Sequence, residues 1–274
     1  MKDAVLEQSV VLITGASSGL GLATASLLAG RGFKVFGTSR KPPRDDANGF
    51  EMLQLDVTSD ESVDACIQTL MHKTGRIDVL VNNAGYGLHG AIEETSIGEA
   101  KSQFETNFFG TVRMVKAVLP IMRQQGRGQI INISSTAGLV ASPFQAFYCA
   151  SKHAVEGYTE ALRHEVKRFN IKVSIVEPGY FKTNVGSAST RSAAAGSVHE
   201  YREMYQRFLS IAKEHIQNGD DPRLVAETIL RIVESDSPRI RYLVGKEKWH
   251  ARVKPIVPES MFESAARRYW KLDG

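Results

Sequence analysis

Cysteine is nearly missing: the 274 residues contain two, Cys66 and Cys149. Two thiols without metal-ligand spacing build neither a disulfide framework nor a metal site, so a reducing compartment is expected. The opening MKDAVLEQSV is short and mixed in charge, without the apolar core of a secretion signal. No uncharged apolar run approaches the roughly 20 residues that span a bilayer, and a soluble, cytoplasmic protein without a membrane span is expected. Blocks of like charge and internal repeats are missing too. The net charge is +4, yet the basic residues are dispersed, the densest being Arg40-Lys41 with Arg44 and Arg267-Arg268. That dispersal speaks against nucleic acid as the partner.

What remains is ordinary globular composition, 42% hydrophobic and 23% charged, enough for a core without staples. Short apolar, β-rich runs alternate with longer helical patterns. Strands are predicted at Val10–Thr14, Lys34–Thr38, Glu51–Leu55, Val79–Asn82, Gln129–Ile133 and Lys172–Glu177, with a weaker one at Tyr242–Val244. Their apolar residues do not alternate cleanly, as befits strands buried on both faces. Helices are predicted at Gly21–Ala29, Glu61–Lys73, Ile97–Gln124 (long and bent), Ala146–Phe169 and Pro222–Val233, with an amphipathic stretch at Glu200–Gln217. This rhythm predicts an α/β fold: a single Rossmann-type, doubly wound domain over residues 1–274, with about seven parallel strands flanked by helices. The Ser-, Ala- and Gly-rich Gly186–Val198 predicts a flap within about 180–220, and a C-terminal extension follows from about 246 to 274.

After the first strand the chain reads Thr14-Gly15-Ala16-Ser17-Ser18-Gly19-Leu20-Gly21 and enters a helix. Glycines here can take positive φ and let a pyrophosphate approach bare backbone, while the helix N-terminus offers unpaired N–H groups. Ser17 and Ser18 add hydroxyl donors. No Lys follows the last glycine, which excludes a Walker P-loop. Where an NAD site carries a carboxylate for the adenosine ribose, this chain has Thr38-Ser39-Arg40. Ser39 can donate to a phosphate and Arg40 can grip one with its guanidinium fork, so NADP(H) is the expected cofactor.

Further along, Tyr148 and Lys152 stand four residues apart in a helical pattern, on one face. A phenol titrates near 10, and acting as a base near neutrality requires lowering it by about three units. A neighbouring ammonium works in that direction. Ser135, just past the fifth strand, and Asn82-Asn83-Ala84-Gly85, ending the fourth, converge on the same sheet edge, where open α/β sheets bind ligands.

Together these motifs resemble the main branch of the short-chain dehydrogenase/reductase family, in the shade of its steroid- and retinol-dehydrogenase-like members. The match comprises TGxxxGxG at Thr14–Gly21, NNAG at Asn82–Gly85, Asn107, Ser135, YxASK at Tyr148–Lys152 and PGxxxT at Pro178–Thr183. The resemblance implies an oxidoreductase acting on CH-OH groups, with catalytic Asn107, Ser135, Tyr148 and Lys152. Tyr148 would be the general acid/base and Ser135 would hold the substrate oxygen. Lys152 would bind the nicotinamide ribose and tune Tyr148, and Asn107 would support a water-linked proton relay. It places Gly15, Ser17, Ser18, Gly19, Leu20 and Gly21, together with Ser39 and Arg40, around the phosphates. Asp56 and Val57 fall near the adenine, Asn83, Ala84 and Gly85 line the cleft, and Pro178, Gly179 and Thr183 hold the nicotinamide end. A homodimer or homotetramer is implied, through the helices at Ile97–Gln124 and Ala146–Phe169.

Loops after strands four to six supply Tyr86, Leu88, Leu139, Val140, Phe144, Tyr180 and Phe181 as expected pocket walls, and the flap adds Tyr201, Met204, Tyr205 and Phe208. Such walls suit a small-molecule carbonyl or alcohol that is bulky and hydrophobic. His89 is a candidate lining residue, whereas Cys149, His153 and His164 match no required role, and Trp249 and Trp270 are expected to pack the extension. A redox-silent NADP(H) sensor or scaffold on the same fold stays open as an alternative. An epimerase on nucleotide sugars fits less well, because of the glycine spacing and the short C-terminal region.

Overall fold

The computed structural model describes residues 9–42, 49–182, 189–246 and 248–272. Seven strands form one parallel sheet: β1 (Val10–Ile13), β2 (Lys34–Ser39), β3 (Glu51–Gln54), β4 (Val79–Asn82), β6 (Gly128–Ile133), β7 (Ile171–Pro178) and β9 (Arg241–Val244). Their order is β3-β2-β1-β4-β6-β7-β9. The chain therefore winds outward from β1 in one direction and from β4 in the other. A crevice opens between the carboxyl ends of those two neighbours, where the winding reverses. Two three-residue strands, β5 (Gly87–His89) and β8 (Ser189–Arg191), pair beside the main sheet; neither is foreseen in the sequence.

Period-two alternation explains why the strands read as unbroken apolar runs. Val10 and Leu12 of β1 join the core on one face, Val11 and Ile13 the core on the other, and all four are buried. The first core takes its helical half from α2 (Asp60–Thr74), α4 (Gly110–Gln125) and α5 (Ala146–Val166). The second takes it from α1 (Gly19–Ala29) and α7 (Arg223–Val233). Each fully buried Leu, Ile or Val contributes roughly 1.5–3 kcal/mol.

The long helix predicted over Ile97–Gln124 is in fact three segments: α3 (Ile97–Phe104), a single π turn (Glu105–Phe109) and α4, which also carries Pro120 inside it. Widening the helix by one residue reorients the side chains that follow, a device common at functional sites. Asn107 sits in that turn.

After β7, α6 (His199–Gln217) packs Tyr205, Phe208 and Ile211 into a third, separate cluster with Trp270. Trp270 follows the last of two helices in the extension, α8 (Lys248–Val253) and α9 (Glu259–Tyr269). Among the described residues, no helix is long and apolar enough to cross a membrane, and no group of three His, Cys, Asp or Glu could hold a metal ion. Cys66 and Cys149 are both buried free thiols.

Candidate active site

The crevice at the sheet's carboxyl edge is part of a cleft of about 1640 Å³ that runs from the glycine turn to the C-terminal extension. At one end β1 gives way to the turn, where Gly15 and Gly19 have φ of +67° and +58°, in the left-handed region that glycine enters without penalty. Ser18 precedes α1 without a capping side-chain bond, and the first turn of α1 holds no acid. Its N–H groups and positive dipole end are left for an anion. Gly15, Ser17, Ser18, Gly19 and Leu20 line the cleft. Gly21 does not; it is buried against the turn, and a Cβ there would lie 2.3 Å from the Gly15 carbonyl oxygen.

Thr14 ties this turn to the end of β4. Its hydroxyl accepts the N–H groups of Asn83 and Ala84, each at 2.9 Å. The Asn83 side chain donates in return to the carbonyls of Thr14 (2.9 Å) and Gly15 (3.0 Å). Asn83, Ala84 and Gly85 line the floor of the cleft as a result. Ser39, the last residue of β2, lines it with Arg40, as do Asp56 and Val57 beyond β3. The Ser39 hydroxyl is buried with no hydrogen-bond partner, an orphan that a ligand oxygen would satisfy. Asp56 is held ionised despite partial burial, because the Thr58 N–H and hydroxyl both donate to it. These features fit a dinucleotide.

Ser135, Tyr148 and Lys152 meet in the middle of the cleft. Ser135 follows β6; its hydroxyl accepts from the Ala137 N–H at 3.1 Å and donates to the Pro178 carbonyl at 3.3 Å. Lys152, buried, donates to the Ile133 carbonyl at 2.9 Å, and its ammonium lies 5.9 Å from the centre of the Tyr148 ring. Burial dominates the electrostatics here. It pushes the Tyr148 phenol up to about 12, against a hydrogen bond with Ser135, and draws Lys152 down to about 8, against the attraction of Glu156. The sequence predicts a phenol lowered by its lysine; desolvation outweighs that ammonium in the protein alone.

Asn107 does not line the cleft. Its amide is buried, bound to the Tyr86 backbone and to the Ser151 hydroxyl. Pro178 and Gly179 do line the cleft, while Thr183 lies outside the described residues, as do Arg44 and residues 186–188 of the expected flap.

Of the expected pocket walls, Tyr86, Val140, Tyr180, Phe181 and Phe208 are in place, and His89 joins them. The His89 ring hydrogen-bonds the buried Tyr205 hydroxyl at 2.7 Å. Leu88, Leu139, Phe144, Tyr201, Met204 and Tyr205 do not face the cleft; Phe144 and Tyr205 pack instead into the third cluster. The sequence leaves open whether the tail from Lys246 covers the pocket, joins a neighbour or packs locally; in the fold Trp249, Val253, Val257, Met261, Phe262, Tyr269 and Trp270 close that end of the cleft. The signal was there, since Phe262, Ala266 and Tyr269 recur at helical spacing.

Comparison with known proteins agrees with this geometry. The family model described as short chain dehydrogenase matches residues 9–194. A 3-ketodihydrosphingosine reductase of Bacteroides thetaiotaomicron is 42% identical over 269 residues, covering 97% of this chain and 100% of that protein. Retinol dehydrogenase 8 of Homo sapiens is 36% identical over 280 residues, covering 94% and 87%. A solved actinorhodin polyketide ketoreductase with NADPH superposes with a TM-score of 0.73 at 31% identity, covering 87% of this chain and 96% of that one.

Proposed function

The chain belongs to the short-chain dehydrogenase family, on its retinol-dehydrogenase-like branch, and on that premise we propose that it is an NADP(H)-dependent oxidoreductase. It interconverts a carbonyl and an alcohol on a bulky hydrophobic substrate. The observation that carries this reading is the meeting of Ser135, Tyr148 and Lys152 at the carboxyl edge of the sheet, in one cleft with the glycine turn.

Gly15, Ser17, Ser18, Gly19 and Leu20, with the N-terminus of α1, hold the pyrophosphate. Ser39 and Arg40 receive the 2′-phosphate, Asp56 and Val57 border the adenine, and Asn83, Ala84, Gly85, Pro178 and Gly179 flank the nicotinamide end, with Thr183 assigned there from its motif. The bound cofactor supplies or accepts the hydride. Ser135 and Tyr148 donate hydrogen bonds to the carbonyl oxygen, which stabilises the charge that gathers there. The Tyr148 phenol, raised by burial, is loaded to give up a proton at the oxygen as hydride arrives, the sense needed for reduction. In the opposite sense Tyr148 removes the alcohol proton, helped by the Lys152 ammonium. Lys152 also anchors the ribose, and Asn107 acts on the proton path through the Tyr86 backbone it holds.

Walls from the extension and α6 admit an apolar substrate body. The relatives named for 3-ketodihydrosphingosine and retinol support that class. Exposed Ile97, at the start of α3, and Phe109, at the end of the π turn, support association into a homodimer or homotetramer. The test is Tyr148→Phe against a carbonyl and alcohol panel read at the nicotinamide absorbance, with NADP(H) and NAD(H) in parallel. Turnover falls by at least about 10³-fold while NADPH binding persists; turnover near wild type would sink the reading.

A further inference from the structure

One helical turn beyond Lys152, Glu156 is buried (5% exposed), and Glu177, at the end of β7, is wholly so. Neither lines the cleft. Arg241 of β9 gathers both: its Nη2 lies 2.9 Å from Glu156 Oε2 and its Nε 3.1 Å from Glu177 Oε1. Its third nitrogen reaches Glu160, on the half-exposed outer turn of α5, at 2.6 Å. A line of charge thus runs from Lys152 through Glu156 and Arg241 to the surface. The Lys152 and Arg241 cations flank Glu156.

Stability alone is a poor explanation for such a set. Buried ion pairs rarely outperform well-packed apolar residues of the same volume. The placement against Lys152 is what the set specifies: four residues apart on one helix, Lys152 and Glu156 share a face. The turn after β6 presses onto that face. A Cβ on Gly138 would lie 2.6 Å from Ser134 Oγ, 3.2 Å from Glu156 Cγ and 3.2 Å from the Lys152 carbonyl carbon.

We propose that Glu156, clamped by Arg241, is a positioning residue for the carbonyl–alcohol reaction, its carboxylate keeping the Lys152 ammonium charged beside Tyr148. The inference rests on Tyr148 and Lys152 being the reacting pair. The groups that face Glu156 are Lys152 and Glu160 from α5, Ser134 from the end of β6, Glu177 from β7 and Arg241 from β9. Burial and the neighbouring Glu156 push Glu177 up to about 8. Glu177 therefore keeps its proton at neutral pH; burial raises Glu156 too, but the Ser134 hydroxyl and Arg241 oppose that rise and hold its charge.

The test is the pH profile of kcat for alcohol oxidation, run on the whole protein with saturating NADP. In Glu156→Gln the lysine loses its counter-charge, so the alkaline limb moves to lower pH by about one unit. Glu156→Asp, which keeps the charge but withdraws it by one methylene, moves the limb the same way by less. Glu156→Gln combined with Glu177→Gln also removes the carboxylate that could ionise in its stead, and its limb lies at least as low. A merely structural role lowers kcat at every pH without moving the limb. Limbs coincident with wild type in the folded variants, whichever of the three fold, overturn the proposal. Tyr148→Phe separates the two readings: if it is inactive and the limbs are unmoved, only the role of Glu156 fails.

Discussion

Asn107 grips the backbone of Tyr86 at both ends, accepting its N–H at 3.0 Å and donating to its carbonyl at 2.9 Å. A side-chain amide in a π turn here pairs with a peptide unit as a neighbouring strand would. Gln103, one turn earlier, reinforces the clasp by donating to the same carbonyl at 2.8 Å and accepting the Leu88 N–H at 2.7 Å. Since Tyr86 follows Asn83-Ala84-Gly85, the clasp sets the height of the cleft floor. Asn107→Ala removes the acceptor of the Tyr86 N–H and one donor to its carbonyl. Unfolding in urea should show a loss of roughly 1–3 kcal/mol, with NADPH affinity falling in parallel. A variant as stable as wild type, with unchanged NADPH affinity, would show the floor is held otherwise.

Cofactor choice reduces to what stands at the end of β2. The Ser39 hydroxyl is buried without a partner, and Arg40 beside it lines the cleft. Ser39→Asp sets a carboxylate against the 2′-phosphate while offering an acceptor to a free ribose hydroxyl pair. Calorimetric titration should show NADP(H) affinity falling about 10²-fold, near 2.7 kcal/mol, with NAD(H) affinity equal or improved. An unchanged ratio of the two affinities would place the extra phosphate elsewhere.

How much of this was legible in the sequence follows from how local each feature is. Strands β1 and β4 read cleanly because both their faces are buried, so their residues are apolar whichever way they point, up to Asn82 at the end of β4. The glycine turn read cleanly because its chemistry is contained in eight successive residues. Strands β5 and β8 did not: each has three residues, and the pairing of Gly87–His89 with Ser189–Arg191 leaves no periodic trace. The π turn was equally hidden, since it changes the course of a helix without changing its composition. Seeing Phe144 and Tyr205 as pocket walls failed for a different reason. Aromatic residues near a site suit a satellite core as well as a cavity, and only the fold decides. The Glu156–Arg241–Glu177 cluster draws on α5, β7 and β9, whose register no local pattern encodes.

That cluster also makes stability depend on pH with a definite sign. Glu177 titrates at about 8 in the fold against 4.5 when unfolded. Between those values the native state holds a proton that the unfolded chain releases. The contribution is complete below about 4.5 and drains away as pH rises to 8, with a slope of at most about 1.4 kcal/mol per unit. Lys152, at about 8 in the fold against 10.5, acts oppositely above pH 8, where the unfolded chain binds the extra proton. Above pH 9 the buried Cys66 thiol, raised from 9.0 to about 11, offsets that gain. Denaturant unfolding should therefore show stability falling from pH 5 to 8. Glu177→Gln should flatten that fall; an unaltered profile would mean the carboxyl ionises normally.

Trp270 tests whether the extension belongs to the substrate site. It is 6% exposed and packs on Phe208 of α6 at a ring distance of 5.4 Å and on Tyr269 at 5.2 Å. The cluster it completes is separate from both cores on the sheet, so its loss should loosen the extension without unfolding the dinucleotide half. Trp270→Ala removes a buried indole, a change that costs roughly 3–5 kcal/mol in a core that cannot collapse. Confined to this cluster, the cost appears as faster hydrogen exchange in α9 and the C-terminal half of α6. Because Trp249, Phe262 and Tyr269 line the cleft from the same extension, the KM for a bulky apolar carbonyl should rise about tenfold, some 1.4 kcal/mol. NADPH affinity and turnover of a small carbonyl should hold, since the glycine turn and Ser135 follow strands of the sheet and Tyr148 and Lys152 stand on α5, which packs on it. Equal losses for large and small carbonyls would mean that the extension supports the whole fold rather than the apolar wall.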